Sequence, residues 1–282
     1  VVKKLDTKNY IALSPEEYKK QTEEKWTDAP CGSNYSEEEY LTKEYFEEIE
    51  QHRYSSHPWI KEAINAFDLI GKDVLEIGFG MGTDHLNMAR QGGNMNGIDL
   101  TRHHLDITNI RLELYGLKSN LVNGDAENLP YHNNSFDFIY SLGVIHHSPD
   151  TEKIISEIHR VLKPGGKCYI AVYHKNSVFF WWSVFVVNYL FRGGWKKRTL
   201  KQQISLVEYP GTNENLVIRL YKRKEFDKLF DKFSIRKSYI KHLIPADIAY
   251  ISGIFPDENK PTKYLTLLSN RFGWYVVVEA TK

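Results

Sequence analysis

Val74-Leu75-Glu76-Ile77-Gly78-Phe79-Gly80-Met81-Gly82-Thr83-Asp84 is the stretch that decides the fold. A short apolar run, Val74 to Ile77, follows the turn signal Gly71-Lys72-Asp73 and breaks into three glycines at alternate positions. A helical pattern then runs from Thr83 to Gln91 and stops at Gly92-Gly93. This order predicts a strand, a glycine loop and a helix. Glycine permits backbone angles closed to other residues and lets a ligand approach the main chain. The helix start beyond it offers unpaired N–H groups and a positive dipole end, suited to a carboxylate or another polar ligand.

Outward from this stretch, strand and helix patterns alternate. Candidate strands cover 73–77, 94–99, 120–124, 136–141 and 167–173, and candidate helices cover 83–91, 101–115 and 151–162. Such alternation implies a parallel sheet with helices on both faces. The segment 151–162 is the most periodic, with Ile154, Ile155, Ile158, Val161 and Leu162 on one face and Gly165-Gly166 beyond its end. Ligands in these folds bind at the carboxyl ends of the strands. Gly78, Asp99, Asp125 and Ser141 all fall at such ends, so separate loops converge on one crevice.

Asp99 lies about twenty residues past Gly78, where a doubly wound fold places a ribose-binding acid. Nicotinamide-binding folds share that feature. Glu76 inside the glycine strand, Asp125 in Asn123-Gly124-Asp125-Ala126-Glu127, the run Phe136 to Ser141 and the segment Arg160-Val161-Leu162-Lys163-Pro164-Gly165-Gly166 point elsewhere. Together they resemble the class I S-adenosylmethionine-dependent methyltransferases, from about Val74 to Val172. The resemblance implies an α/β, doubly wound, mostly parallel seven-stranded Rossmann-like sheet. Its antiparallel last strand would insert beside the fifth. The implied cofactor is S-adenosylmethionine, leaving S-adenosylhomocysteine as product.

By the same resemblance, Asp99 accepts from the ribose hydroxyls and Leu100 packs on the adenine. Asp125 and the Ala126 N–H read the adenine edge, Gly78 and Gly80 let the backbone pass the methionine portion, and Gly82 and Glu127 are further candidates for cofactor binding. Glu76 orients that loop, and Ser141 closes the fourth strand beside it. Histidine is the natural candidate for a base, because its pKa lies near neutrality. His146 and His147 follow the fourth strand, and Tyr173 and His174 end the fifth, so these four are the candidate catalytic residues. Methyl transfer needs no base when the acceptor is already nucleophilic.

The flanks divide the chain into an N-terminal helical cap at 1–67, the cofactor-binding core at 68–175, an apolar lid or insertion at 176–221, and a C-terminal part of the core at 222–282 with an irregular insertion at 241–270. In the cap, Ser14-Pro15-Glu16-Glu17 starts one helix, and Ser36-x-x-Glu39 is a capping box for a second running to about His52, with Tyr40, Phe46 and Ile49 inward. His57-Pro58-Trp59 starts a third. In this family such a cap covers the cofactor, which would let Arg53 meet the cofactor carboxylate and Tyr54 line the methyl site. Residues 178–191 are nearly all apolar and heavily aromatic, too short for the roughly 20 residues of a membrane span, and are followed by basic Arg192 to Arg198. A lid lining an apolar acceptor pocket is the first expectation for them. Peripheral membrane contact through 178–198, a subunit contact in a homodimer and a simple core helix are the alternatives. Glu208-Tyr209-Pro210-Gly211 reads as a turn before extended Leu216 to Tyr221, Lys222 to Lys224 opens a helix with Phe226, Leu229 and Phe230 inward, and the last two strands fit 233–240 and 273–280.

A formal net charge of +1 over 282 residues exerts no bulk pull toward nucleic acid, so none is expected as a partner. Cys31 and Cys168 make no disulfide framework and show no metal spacing, and Val1 to Asp6 lack the apolar core of a signal peptide, so the expected compartment is cytoplasmic. The function these features predict is methyl transfer to a small-molecule acceptor. A nicotinamide-dependent oxidoreductase and a non-catalytic S-adenosylmethionine-binding protein are the competing classes.

Overall fold

The structure is a computed structural model and describes residues 13–209, 216, 218–250 and 252–282. The first residues of the chain and the Pro210-Gly211 turn lie outside the described residues. Helices α1 (Pro15–Asp28), α2 (Lys43–Ser56) and α3 (Pro58–Asn65) precede the sheet. The core alternates as β1 (Asp73–Ile77), α4 (Thr83–Arg90), β2 (Asn94–Asp99), α5 (Arg102–Leu114), β3 (Asn120–Asn123), β4 (Phe136–Leu142), α6 (Thr151–Val161) and β5 (Leu162–Tyr173). A π-helix (Phe179–Phe191) and α7 (Leu200–Ser205) come next, then α8 (Arg223–Lys228), β6 (Ile235–Lys241), α9 (Lys263–Phe272) and β7 (Tyr275–Thr281).

The strands order as β3-β2-β1-β4-β5-β7-β6. Pairs among β1 to β5 are parallel, and β7 is antiparallel to both β5 and β6, so β7 alone is reversed. This is the Rossmann-like sheet expected from the sequence. Alternation along the strands splits the core into two layers. Val74, Phe138, Tyr140, Tyr169 and Val277 face α3 and α4, whose Trp59, Ile60 and Leu86 meet them. Leu75, Ile139, Ile170 and Val278 face the opposite way, onto Ile154, Ile155 and Ile158 of α6 and Phe226 and Phe230. Burial on both faces explains why β1, β4 and β5 read as continuous apolar runs.

Capping fixes several helix starts. Ser14 and Glu17 form a reciprocal capping box on α1, and Asp150 accepts from the Lys153 N–H at 2.9 Å to start α6. The Ser36 box does not form. Helix α2 begins later, capped by Thr42, and the Ser36 hydroxyl donates to Glu48 instead. Phe46 and Ile49 are buried as expected, but Tyr40 stays exposed. The 241–270 insertion is not wholly irregular, because Thr262 caps α9 there. Its outer positions Tyr264, Leu267 and Leu268 are exposed and apolar, which masks the amphipathic pattern. Within the described residues, no helix is long and apolar enough to cross a membrane.

Candidate functional site

A cavity of about 320 Å³ opens at the carboxyl ends of the parallel strands. Gly78 and Gly80 from the β1 loop, Asp99 and Leu100 from β2, and Asp125 and Ala126 after β3 line one side. Gly78 has φ +75°, and an added Cβ would lie 2.3 Å from a Val144 methyl, so no other residue fits there without displacing the loop. The Gly80 N–H donates to Asp99 at 3.0 Å, which ties the glycine loop to the end of β2. The other Asp99 oxygen accepts from the Thr101 N–H at 2.9 Å and from His104 Nδ1 at 3.1 Å. A carboxylate offers about four lone-pair sites, so one remains for a ligand hydroxyl. His104 Nε2, also on the cavity, is buried without a partner among the described residues, as is usual for a group that a ligand completes.

Four expected cofactor residues do not face the cavity: Ser141, Gly82, Glu127 and Tyr54. The Ser141 hydroxyl is buried and donates to the Ile77 carbonyl at 2.9 Å, locking β4 to β1. Gly82 begins α4 with φ +72°, in contact distance of Thr108, and serves helix entry. Glu127 spends its carboxylate on Lys19 at 2.6 Å, on the Ser148 hydroxyl and on the Asp150 N–H. Lys19 of α1 also bonds Asp125 at 2.6 Å, and Asp125 accepts from the Glu127 N–H. One end of the cavity is thus closed by an ion pair from the cap. Sequence reasoning missed α1 as a wall, since only its pairing with strand-end acids identifies it.

Glu76 is buried under the glycine loop and bonds His85 Nδ1 at 2.9 Å. His85 Nε2 reaches Ser119 Oγ, whose own proton goes to the Met95 carbonyl. His85 therefore donates through Nε2, and Glu76 supplies the proton of the other bond. Burial and the nearby Asp84 raise Glu76 well above the ordinary carboxylate range, and burial lowers His85 to about 3. The pair is neutral and lies under the glycine loop, with Glu76 on the floor of the cavity.

Arg53 lines the cavity and forms a fork on Asp84 of α4, Nε to Oδ1 at 2.8 Å and Nη2 to Oδ2 at 2.5 Å. Burial opposes the guanidinium charge, but Asp84 outweighs it and holds Arg53 protonated. Tyr54 is not at the cavity. Its hydroxyl donates to Asp84 at 3.1 Å, behind Arg53.

The other side of the cavity belongs to the cap, β5, β7 and the segment after α7: Trp26, Tyr35, His57, Tyr173, Glu208 and Tyr275. None of residues 178–191 lines it. The π-helix instead packs Phe180, Val184 and Val187 inward, so the lid expectation for that run is corrected. The segment it leads into reaches the cavity through Glu208, which accepts from the Tyr173 hydroxyl. Glu208 was legible in the sequence only as part of a turn.

The four candidate catalytic residues separate. His147 and Tyr173 line the cavity, whereas His146 and His174 do not. His146 is fully buried between the rings of His147 and Tyr173, each 4.1 Å away, and neither nitrogen has a partner among the described residues. His174 Nδ1 donates to the Gly273 carbonyl at 3.0 Å and joins β5 to the start of β7. His147 Nδ1 pairs with the Tyr209 hydroxyl at 2.9 Å, and burial lowers its pKa to about 3, so it is neutral at pH 7.

These depressed histidines set a pH dependence. His57 and His146 are held well below the ordinary value, chiefly by burial, and His242 is lowered to about 3. Between about 6.5 and 3 the unfolded chain binds protons that the folded chain refuses, at up to about 1.4 kcal/mol per pH unit for each group. Asp247, raised to about 7 by burial, acts oppositely between about 7 and 4, as do Glu76 and Glu208, which burial also raises. The melting temperature is therefore expected to fall below pH 6 and more steeply below pH 4. Calorimetric melting across that range checks it, and a flat profile contradicts it.

Residues 75–170 match the family model described as a methyltransferase domain. The chain is 39% identical over 107 residues to phosphoethanolamine N-methyltransferase 2 of Caenorhabditis elegans, covering 37% of this chain and 24% of that one. It is 38% identical over 101 residues to a phthiotriol/phenolphthiotriol dimycocerosates methyltransferase of Mycobacterium leprae, covering 35% of this chain and 37% of that one. The match thus spans well under half of each relative and is a likeness of the domain. A solved S-adenosylmethionine-dependent methyltransferase of Thermotoga maritima superposes with a TM-score of 0.53 at 21% identity, over 82% of this chain and 90% of that one, which speaks for the fold alone. The strand order, the crevice with Asp99 and the glycine loop, and the matched segment agree: residues 75–170 carry a methyltransferase domain, set in the fold of the class I S-adenosylmethionine-dependent methyltransferases, whose cofactor is S-adenosylmethionine.

Proposed function

We propose that this chain transfers the methyl group of S-adenosylmethionine to a small-molecule acceptor with a flat or apolar part. The observation that carries this reading is the chemical split of the cavity. Its Asp99 side sits at the end of β2 and its Tyr173 side at the end of β5, three strand spacings away in the sheet order. At about 4.8 Å per spacing the two sides are roughly 14 Å apart, room for a cofactor and an acceptor side by side.

S-Adenosylmethionine supplies an electrophilic methyl carbon on its sulfonium. The residues of the chain must hold it, align the acceptor behind that carbon and exclude water. In this reading the one open site on Asp99 takes a ribose hydroxyl, and Leu100 and Ala126 flank the adenine. Two of the five guanidinium N–H groups of Arg53 are used on Asp84, so three remain for the cofactor carboxylate. Trp26, Tyr35 and Tyr275 give the acceptor side its aromatic walls, with Tyr35 stacked on His52 at 3.6 Å. In this reading Glu208, whose carboxylate burial makes more basic, receives an acceptor proton, and neutral His147 forms the wall beside it.

The test is formation of S-adenosylhomocysteine, followed by mass spectrometry, across a panel of aromatic and aliphatic hydroxyl, amine and thiol compounds. At least one class is expected to give stoichiometric product. Tight cofactor binding with no turnover across the panel would favour the non-catalytic binding protein instead.

A further inference from the structure

Between Glu157 and Glu208 the chain carries no Asp or Glu, although acids are frequent elsewhere. The π-helix lies in this stretch. Lys175 precedes it, and Arg192, Lys196, Lys197, Arg198 and Lys201 follow it. One side of the helix is anchored: Ser183 Oγ donates to the Asp247 carbonyl at 2.7 Å, and Trp182 Nε1 to the Ala249 carbonyl at 2.9 Å. These bonds fix which side faces outward. On that side Trp181 is 48% exposed and Phe191 77% exposed. Trp181, Phe185 and Tyr189 run along it at four-residue spacing, with ring centroids 5.3 and 6.0 Å apart. No charged residue interrupts the helix from Phe179 to Phe191.

The rim of this face is basic and aromatic together. The Arg192 guanidinium lies 5.4 Å from the Tyr250 ring centroid, and the Lys196 ammonium 5.4 Å from that of Trp195. Indole, phenol and cationic groups at one edge of an apolar face suit the boundary between lipid headgroups and acyl chains. A 13-residue helix, half of it packed on protein, is too short to span a bilayer, so a membrane would meet only its outer face. A second copy of the chain would set this basic rim against an identical one in a two-fold contact, which like charges oppose.

We propose that the outer face of the π-helix, with its basic rim, docks the chain peripherally on an anionic lipid surface. The apolar side chains enter the acyl boundary and the rim meets phosphate groups. Helix α7 packs on the π-helix, and Glu208 follows it onto the cavity. The docked face is therefore joined by one short segment to the acceptor side. The proposal does not depend on which acceptor is methylated.

Co-sedimentation of the full chain with vesicles tests it, using phosphatidylcholine alone and phosphatidylcholine mixed with phosphatidylglycerol. The chain is expected to pellet with the mixed vesicles at low salt and to be released by added salt. Lys196→Gln and Lys197→Gln should each weaken that partition about fivefold. Trp181→Ser with Phe191→Ser should weaken it further while the melting curve and S-adenosylmethionine affinity stay unchanged. A chain that remains in the supernatant with mixed vesicles at low salt overturns the proposal. So does binding that none of these variants alters, or a dimer in sedimentation velocity that Trp181→Ser dissociates.

Discussion

Asp84→Ala is expected to be the most destabilising single substitution at the site, costing about 3–5 kcal/mol of folding free energy. The carboxylate is 3% exposed and accepts four hydrogen bonds. Two come from Arg53, one from Tyr54 and one from Tyr140, whose hydroxyl reaches it at 2.9 Å. Its removal leaves a guanidinium and a buried phenol facing an empty space, and an uncompensated charge is far costlier than a lost pair. Asp84 also sits in the first turn of α4, where a negative charge meets the helix dipole. Urea denaturation of the purified variant measures the loss. Asp84→Asn keeps the shape and part of the bonding, so it should lose about half as much. Combining Asp84→Asn with Arg53→Gln should recover part of that loss, because the stranded charge is gone. A loss below about 1 kcal/mol for Asp84→Ala would mean that Arg53 finds solvent as a substitute, as surface pairs do.

The fold was legible wherever a pattern answered to the backbone. Strands β1 and β2 lie at 73–77 and 94–99, as the sequence predicts, because glycine and asparagine turns bound short runs buried on both faces. The reversed β7 and its position beside β5 came from family resemblance, since periodicity cannot state pairing order. Helix α9 was missed because Tyr264, Leu267 and Leu268 face solvent, so hydrophobicity did not mark its buried side. The Ser36 box failed for another reason. A hydroxyl three residues before a glutamate is common, and only the chain direction around Thr42 decides which residue caps α2.

The site divides along the same line. Residues on the strand ends, such as Gly78 and Asp99, are tied to the cavity by topology and could be named from sequence. Ser141 shares that address, yet its hydroxyl points between strands, because one position in a strand sends its side chain to only one face. Lys19, Trp26 and Glu208 reach the cavity across long separations, and nothing local in their sequence marks it. The aromatic run at 178–191 leaves β5 at the crevice, which predicts a lid, but an exit point does not say which way an apolar helix turns its buried face.

For Asp99→Ala the expected result is a loss of S-adenosylmethionine affinity of roughly 2–4 kcal/mol, about thirty-fold to nearly a thousand-fold. Two contributions combine. One is direct: a charged acceptor for a ribose hydroxyl disappears. The other acts through the loop, since Asp99 holds the Gly80 N–H, the Thr101 N–H and His104 in place before any ligand arrives. Losing that preorganisation adds an ordering cost to binding. Asp99 is 7% exposed, so the same change should also lower the melting temperature, by a few degrees per kcal/mol for a chain of this size. Asp99→Asn keeps part of the bonding. It retains an oxygen for Thr101 and His104 but turns an NH2 toward the Gly80 N–H, so its melting should fall less than that of Asp99→Ala while affinity still falls by at least tenfold. Ser141→Ala is the matched control, because its hydroxyl serves the Ile77 carbonyl and not the cavity, and its cofactor affinity should be unchanged. Titration calorimetry on the three folded variants reads all of these outcomes. Wild-type affinity in a folded Asp99→Ala protein would remove the acid at the end of β2 from the cofactor site, and the assignment of the crevice with it.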